Sequence, residues 1–121
     1  MFTLGIIEES LDNKEILNHL QPYLHSQRTE HVPDDEYPIW HINEYHVPAE
    51  KMHTILNELK DNVKPTWYIH AFNDNILYVV LRGKWFQVSP KRDETWNNMI
   101  EYGVSIAKVE GRYLENIPLH V

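Results

Sequence analysis

Residues 65–89 of the chain read PTWYIHAFNDNILYVVLRGKWFQVS, and this stretch predicts the fold. It contains three segments rich in aromatic and β-branched side chains, a composition typical of β-strands. Residues 73–75 (NDN) and 82–84 (RGK) separate these segments, and Asn, Asp and Gly all tolerate the backbone conformations of tight turns. The stretch therefore predicts two successive antiparallel hairpins.

The register of the first predicted hairpin decides which side chains share a face. A two-residue loop at Asp74-Asn75 places His70 opposite Val79 and Tyr68 opposite Leu81. One face then carries Tyr68, His70, Phe72, Leu77, Val79 and Leu81, and the other carries Trp67, Ile69, Ala71, Tyr78 and Val80. Both faces are apolar, whereas a half-solvated sheet alternates apolar with polar residues. We therefore expect helices on one face and a second subunit, another segment or a ligand on the other.

Length, charge and composition limit the class of protein. A chain of 121 residues is the size of one domain. The net charge of −7 argues against general binding to nucleic acid or anionic membranes. No apolar run approaches the roughly 18 residues that a membrane helix needs, and the N-terminal MFTLGIIEES lacks the basic region of a secretory signal. These features predict a cytoplasmic protein without a membrane partner.

The order of elements from residue 39 onward predicts the architecture. Residues 39–47 (IWHINEYHV) read as a strand, and Pro48 suits the first turn of a helix. Apolar residues then recur at helical spacing in two segments, one after Pro48 and one after Pro90. Residues 117–121 could form a final edge strand. Strand, helix, two strands, helix and strand give an α+β domain of ferredoxin-like, split βαβ plan with an antiparallel sheet.

The first 37 residues are predicted to add an N-terminal strand-helix extension to a core of residues 38–121, within a single domain. Met1–Glu8 could form a short strand, and a helical stripe of leucines and isoleucines follows Asp12. Pro22 should kink or end that helix, because proline lacks a backbone donor. Residues 27–38 are polar and include the acidic run Asp34-Asp35-Glu36, so they predict a loop.

Three short segments are similar to parts of a set of small uncharacterised prokaryotic proteins. These segments are WYIHAF at residues 67–72, YVV at 78–80 and IEYG at 100–103. The resemblance covers roughly the last two-thirds of the chain. No activity is assigned to that set, so the resemblance implies a stand-alone cytoplasmic protein and transfers no catalytic residue.

His70 is the strongest candidate for acid–base chemistry, because Tyr68 and Phe72 flank it on one predicted face. His41 could neighbour it if the two strands pair in parallel, and His41 and His70, with Glu44 or Tyr45 nearby, would then form a polar constellation. The alternative is a core histidine that donates one hydrogen bond to a neighbour. A metal site is not predicted: the chain has no cysteine and no HExxH motif, and His41 and His46 point to opposite faces of a strand. No motif for a cofactor is present either, so none is predicted.

A local basic group lies close to an aromatic pair. Arg82, Lys84, Lys91 and Arg92 cluster in sequence beside Trp85 and Phe86, an arrangement that could receive a phosphate or single-stranded nucleic acid. The acidic net charge favours the alternative, in which these charges decorate a turn and a helix start.

Nothing in the sequence is typical of a known enzyme motif, and the leading hypothesis is non-enzymatic. We expect an interaction or small-ligand-binding protein that acts as a homodimer and binds a small molecule or a protein. Its predicted binding surface comprises Tyr68, His70, Trp85, Arg82 and Lys84. One alternative is a small enzyme that uses His70 or His41, with Tyr68, in a sheet cleft; the other is a nucleotide or single-strand binder at Arg82, Lys84 and Arg92.

Overall fold

A computed structural model describes all 121 residues and is built around one six-stranded antiparallel sheet. The order of strands across the sheet is β2-β3-β1-β4-β5-β6, so β1 lies in its interior, between β3 and β4. The strands are β1 (Phe2–Ile7), β2 (Leu24–His31), β3 (Ile39–Val47), β4 (Ile69–Phe72), β5 (Leu77–Leu81) and β6 (Lys84–Val88).

Four short α-helices connect and cover the strands: α1 (Ile16–Leu20), α2 (Met52–Leu59), α3 (Trp96–Ser105) and α4 (Gly111–Leu114). Pro22 lies in a 3-10 turn directly after α1, in keeping with its missing backbone donor. None of the helices has both the length and the apolar character needed to cross a membrane.

The predicted hairpins are present in the predicted register. His70 lies opposite Val79, and β5 pairs onward with β6 after the turn at Gly83. Gly83 has a φ of 90°, a left-handed conformation that glycine adopts without steric strain. Strand β3 also has the bounds that the sequence predicted, Ile39–Val47.

One face of the sheet, which we call the helix face, packs against α1 and α2. Its inward-facing side chains join those of the two helices in a cluster of 17 buried residues. Leu4, Leu56 and Leu59 are fully buried there. Tyr45 and Tyr78 also belong to this cluster. The cluster draws on residues of β1, β3, β4 and β5, so burial on the helix face is continuous across the sheet.

The opposite face, which we call the C-terminal face, is covered over β5 and β6 by α3, α4 and the residues after them. Ten buried residues form this second cluster, among them Leu81, Met99 and Leu114. A Cβ at Gly103 would clash with Leu114 Cδ1, so the glycine lets α4 approach α3 closely. Over β5 and β6, the chain itself therefore supplies the cover that the two apolar faces of the hairpins predicted.

Three predicted elements differ in the structure. The predicted loop over residues 27–38 is wrong in its first part, because β2 continues to His31. Residues 117–121 form no strand; instead the Val121 side chain packs over Gly5 on the C-terminal face. The α+β class and the antiparallel sheet are confirmed, but the strand order is not that of a simple split βαβ unit. The ferredoxin-like plan is therefore not confirmed.

Candidate functional site

A cleft of about 550 Å³ opens on the C-terminal face, beside the part of the sheet that α3 and α4 cover. Its floor includes Gly5 of β1, Ile42 of β3 and His70 of β4. Residues 35–37, the segment at Thr66–Tyr68 and the C-terminal segment from Lys108 to Val121 form its walls. Side chains far apart in sequence thus meet at the edge of the region that α3 and α4 cover.

Aromatic side chains form one end of the cleft. The rings of Trp40 and Trp67 meet at 64° with their centroids 5.3 Å apart. The indole nitrogen Nε1 of Trp40 donates to the Asp35 carboxylate over 3.3 Å. Lys64 Nζ donates to Tyr37 Oη over 2.9 Å and lies 4.6 Å from the centroid of that ring. These polar contacts hold the aromatic rings in place while both tryptophans remain partly exposed.

His70 forms part of the floor and is only 9% exposed. Its Nε2 lies 3.1 Å from the His120 carbonyl oxygen. Since a carbonyl oxygen only accepts, Nε2 carries the proton and donates it. Burial lowers the pKa of His70, and the hydrogen bond to His120 opposes this shift in part. The ring stacks on Phe72 at a centroid distance of 5.5 Å, so His70 is a neutral, largely packed histidine.

Tyr68 stands next to His70 in the cleft, with ring centroids 6.1 Å apart. Burial raises the pKa of its hydroxyl group, so the phenol stays protonated and can donate or accept a hydrogen bond. The prediction that Tyr68 and His70 share one face is confirmed.

Charged side chains lining the cleft are mostly acidic: two are cationic, Arg28 and Lys108, and four are carboxylates, Glu30, Asp35, Glu36 and Glu110. Arg28 Nη2 lies 3.5 Å from Glu30 Oε1, so this cation is already partly neutralised. With histidines neutral, the lining carries an excess of negative charge, which favours a neutral or positively charged ligand over an anion.

Two residues of the lining have strained backbone conformations. Thr66 and Lys108 have φ values of 74° and 61°, and they are the two non-glycine residues of the chain with positive φ. A β-branched residue such as Thr66 is a pronounced outlier there. The Thr66 N–H donates to the Ala107 carbonyl over 2.8 Å, which ties the two strained segments together. Such strain costs about 1–3 kcal/mol per residue and clusters at functional sites.

Other predicted site residues lie elsewhere. Strand β1 separates β3 from β4, so His41 does not neighbour His70; His41 Nδ1 instead lies 2.8 Å from the Glu9 carboxylate. Trp85 packs on the helix face, where its Nε1 donates to Asn57 over 2.9 Å. The predicted constellation of His41 with His70 is therefore not formed, and Trp85 is not part of the cleft.

The three predicted phosphate-binding residues each have a partner of their own. Arg82 binds the Asp12 carboxylate and the Val63 carbonyl. Lys84 Nζ lies 4.9 Å from the centroid of the Phe86 ring. Arg92 Nη2 lies 3.8 Å from Glu115. None of the three lines the cleft.

A second polar group on the C-terminal face could hold a metal ion. His25, Glu44 and His46 place one ligand atom each within 4.8 Å of one another. The prediction that His41 and His46 point to opposite faces is consistent with their partners, Glu9 and Glu44 respectively. His25 was not predicted as a ligand, because it lies on β2, and residues 27–31 of that strand were predicted to be a loop.

The sequence did not predict Trp40, Trp67 or the strained residues Thr66 and Lys108 as parts of a site. Trp40 follows Ile39 at the start of a correctly predicted strand, and alternation along that strand would have placed it on the same face as Ile42.

Comparisons with models of known protein families, with curated proteins and with solved structures found no match. The function must therefore be argued from the site alone.

Proposed function

We propose that this protein binds a small organic molecule in the cleft, without catalysing a reaction on it. The observation that supports the proposal is the combination of volume and lining. A cleft of about 550 Å³ has the size of a small-molecule site, which is concave and mainly apolar with a few polar groups. Trp40, Trp67 and Tyr68 supply the apolar wall, and the Tyr68 hydroxyl, Lys108 and Glu36 supply polar groups.

The lining also suggests the chemistry of the ligand. Partly exposed rings of Trp40 and Trp67 suit a flat or aromatic body that packs against them. The excess of carboxylates suits a ligand that is neutral or carries an amine. A cation close to an indole ring gains a further attraction from the π-electrons of the ring. We therefore expect aromatic amines to bind more tightly than aromatic acids of the same shape.

The alternative functions have weaker support. An enzyme with His70 as acid or base would need a ring open to substrate, but His70 is 9% exposed and its Nε2 is engaged by His120. His41 lies outside the cleft. A nucleic-acid binder would need free cations beside exposed aromatic rings. In this chain Arg82 and Arg92 are paired with carboxylates, and the net charge is −7.

Four tryptophans allow the proposal to be tested by NMR on the ¹⁵N-labelled protein. Trp40 and Trp67 line the cleft, whereas the Nε1 groups of Trp85 and Trp96 donate to Asn57 and to the Ser89 carbonyl away from it. A fragment library of aromatic amines, acids and neutral compounds should give ligands that shift the indole signals of Trp40 and Trp67. The signals of Trp85 and Trp96 should stay in place.

A matched pair of variants sharpens this test. Trp40→Ala removes part of the cleft wall, and Trp85→Ala removes an indole that is also partly buried from the other face of the sheet. Trp40→Ala should abolish binding of the fragments, while Trp85→Ala should leave their affinity unchanged. Absence of any fragment that shifts the Trp40 signal, or equal losses in both variants, would rule the proposal out.

The homodimer and the cytoplasmic location stay predictions. The homodimer was expected because both sheet faces are apolar, and α3 and α4 now supply cover from the same chain. The outer strands offer a different route to self-association, but β2 is exposed and carries Arg28 and Glu30, charges that discourage edge pairing. Light scattering across a range of protein concentrations measures the oligomeric state directly.

A further inference from the structure

Two histidines and a glutamate lie side by side where β2 pairs with β3, at a site separate from the proposed ligand cleft. His46 Nε2 lies 2.8 Å from Glu44 Oε2, and His25 Nε2 lies 3.8 Å from the same oxygen. The His25 and His46 rings stack with centroids 4.0 Å apart and planes inclined by 16°. We infer that His25, Glu44 and His46 form a binding site for a divalent transition-metal ion such as Zn²⁺.

A β-bulge explains why three ligands meet there. Leu24 pairs with Tyr45 and Ser26 with Glu44, so His25 is an extra residue between two successive pairs. A bulge of this kind re-aims the side chain of the extra residue. Glu44 and His46 are two residues apart on β3 and so share a face. Ser26 pairs with Glu44, so regular alternation backward from Ser26 would put His25 on the helix face. The bulge instead keeps His25 on the face of Glu44 and His46, where its ring stacks on that of His46.

The chemistry of the three side chains fits a metal ion of borderline softness, such as Zn²⁺. Imidazole nitrogen and carboxylate oxygen are both zinc ligands, with bond lengths of about 2.0–2.2 Å. Ligand atoms around a tetrahedral ion are then about 3.3–3.5 Å apart. The observed separations of 2.8 and 3.8 Å bracket this value, and all three ligand atoms lie within 4.8 Å of one another.

The three side chains are exposed enough for an ion to enter the site and for water to occupy a fourth coordination position. The side chains of His25, His46 and Glu44 are 55%, 38% and 23% exposed. Three protein ligands leave one position for water in a tetrahedral site. Magnesium and calcium prefer oxygen ligands and a larger number of them, so the site should discriminate against both.

The chain provides internal controls for this site. His19 with Glu58 and His41 with Glu9 are also exposed histidine–glutamate pairs, at 3.1 and 2.8 Å. Each of these pairs lacks the second histidine that distinguishes the proposed site. Adventitious binding to surface histidines would give the metal ion a similar affinity at all three of these sites.

Titration calorimetry of the full chain with Zn²⁺, at neutral pH in a buffer that does not bind metals, tests the inference. We expect one site per chain, no heat from Mg²⁺, and a loss of affinity of about tenfold or more in His25→Ala, His46→Ala and Glu44→Gln. His19→Ala and His41→Ala should bind Zn²⁺ as tightly as the wild type. Circular dichroism of each variant checks that its fold is intact.

A second measurement needs no variant. Hydrogen exchange followed by NMR should show slower exchange of the amides around His25 when Zn²⁺ is added, because the ion would connect edge strand β2 to β3. The amides of α1, which carries His19, should be unaffected. Absence of Zn²⁺ binding in the wild type, or equal effects of the site and control variants, would overturn the inference and leave only adventitious binding.

Discussion

The two faces of the sheet are built differently. On the helix face, a cluster of 17 buried residues extends from β1 and β3 through β4 to β5. On the C-terminal face, the second cluster has 10 buried residues, and its strand members come from β5 and β6. Beyond that cluster the same face carries the cleft and the group of His25, Glu44 and His46.

The contrast shows where this fold leaves room for chemistry. A complete layer excludes water and buries apolar side chains, whereas an incomplete layer leaves a concave edge where polar groups meet apolar ones. Both proposed sites lie at this edge. We therefore regard the helix face as the scaffold and the uncovered part of the C-terminal face as the proposed binding surface.

The largest expected effect compares one buried aliphatic side chain from each face. Leu4→Ala on the helix face should lower the free energy of unfolding by about 3–5 kcal/mol, since loss of transfer free energy and a new cavity both contribute. Ile42→Ala in the cleft floor should cost about 2 kcal/mol, because the cleft is already open there. Urea unfolding measures both, and equal losses would contradict the proposed difference between the faces.

A second comparison concerns the place where the C-terminal segment meets the sheet. A Cβ at Gly5 would lie 2.8 Å from Val121 Cγ2 and 3.2 Å from His70 Cε1. Gly5→Ala should therefore displace Val121 from the sheet and destabilise the protein by about 1–3 kcal/mol. Gly111→Ala is the matched control, because its Cβ would meet Val104 at an ordinary 3.6 Å. Thermal unfolding that shows no difference between the two variants would argue against tight packing at Gly5.

Removing the backbone strain in the cleft should have a smaller effect on stability, and of the opposite sign to the two variants above. Thr66→Gly should stabilise the protein by about 1 kcal/mol, because glycine adopts a φ of 74° without the strain of a β-branched residue. Thr54→Gly, in the middle of α2 on the scaffold side, should instead destabilise by up to about 1 kcal/mol. Thermal unfolding of the two variants should thus shift in opposite directions, and a destabilised Thr66→Gly would refute strain at this position.

The smallest effect is a change in pH dependence. Burial lowers the pKa of His70 in the folded protein, so the unfolded chain binds a proton more readily there. The free energy of unfolding should therefore fall as the pH drops below the unfolded value of about 6.5, down to the lowered pKa. His70→Gln keeps a donor for the His120 carbonyl but removes the titration, so stability should fall less steeply with acid.

His19→Gln is the matched control for this measurement, because His19 is exposed on the scaffold side. Urea unfolding at a series of pH values compares both variants with the acid sensitivity of the wild type. If His70→Gln has that same sensitivity, His70 does not contribute to the pH dependence of stability. His120, whose charge disfavours protonation of His70, is retained in both variants.

The sequence predicted the elements whose side chains are buried. Strands β4, β5 and β6 have apolar side chains and clear turn residues between them, and β3 alternates in a recognisable way. Strand β2 was missed because its residues LHSQRTEH lie almost entirely exposed at the edge of the sheet. Hydrophobic periodicity records burial, so an exposed edge strand has little signal of this kind.

The candidate sites were predictable only where one stretch of chain contains them. Tyr68 and His70 are two residues apart in one stretch of chain, so the sequence could place them on one face. Trp40 and Lys108 meet them through tertiary packing, which local spacing does not specify. His25 lies beside Glu44 and His46 because of a β-bulge, and no local motif in the sequence predicts that bulge. The strain at Thr66 likewise arises from its link to Ala107 across the fold.

The interior position of β1 also affects how the protein reaches its fold. Phe2 pairs with Val47 and Thr3 with Phe72, so the strand is synthesised well before either of its partners. Contacts between residues so far apart in sequence raise the contact order, which slows folding. Until β3 and β4 have been made, the nascent chain exposes an apolar strand with two unpaired edges, a state prone to aggregate. Co-translational folding of this sheet must therefore wait for β4, and chaperones that bind extended apolar segments have their greatest opportunity before that point.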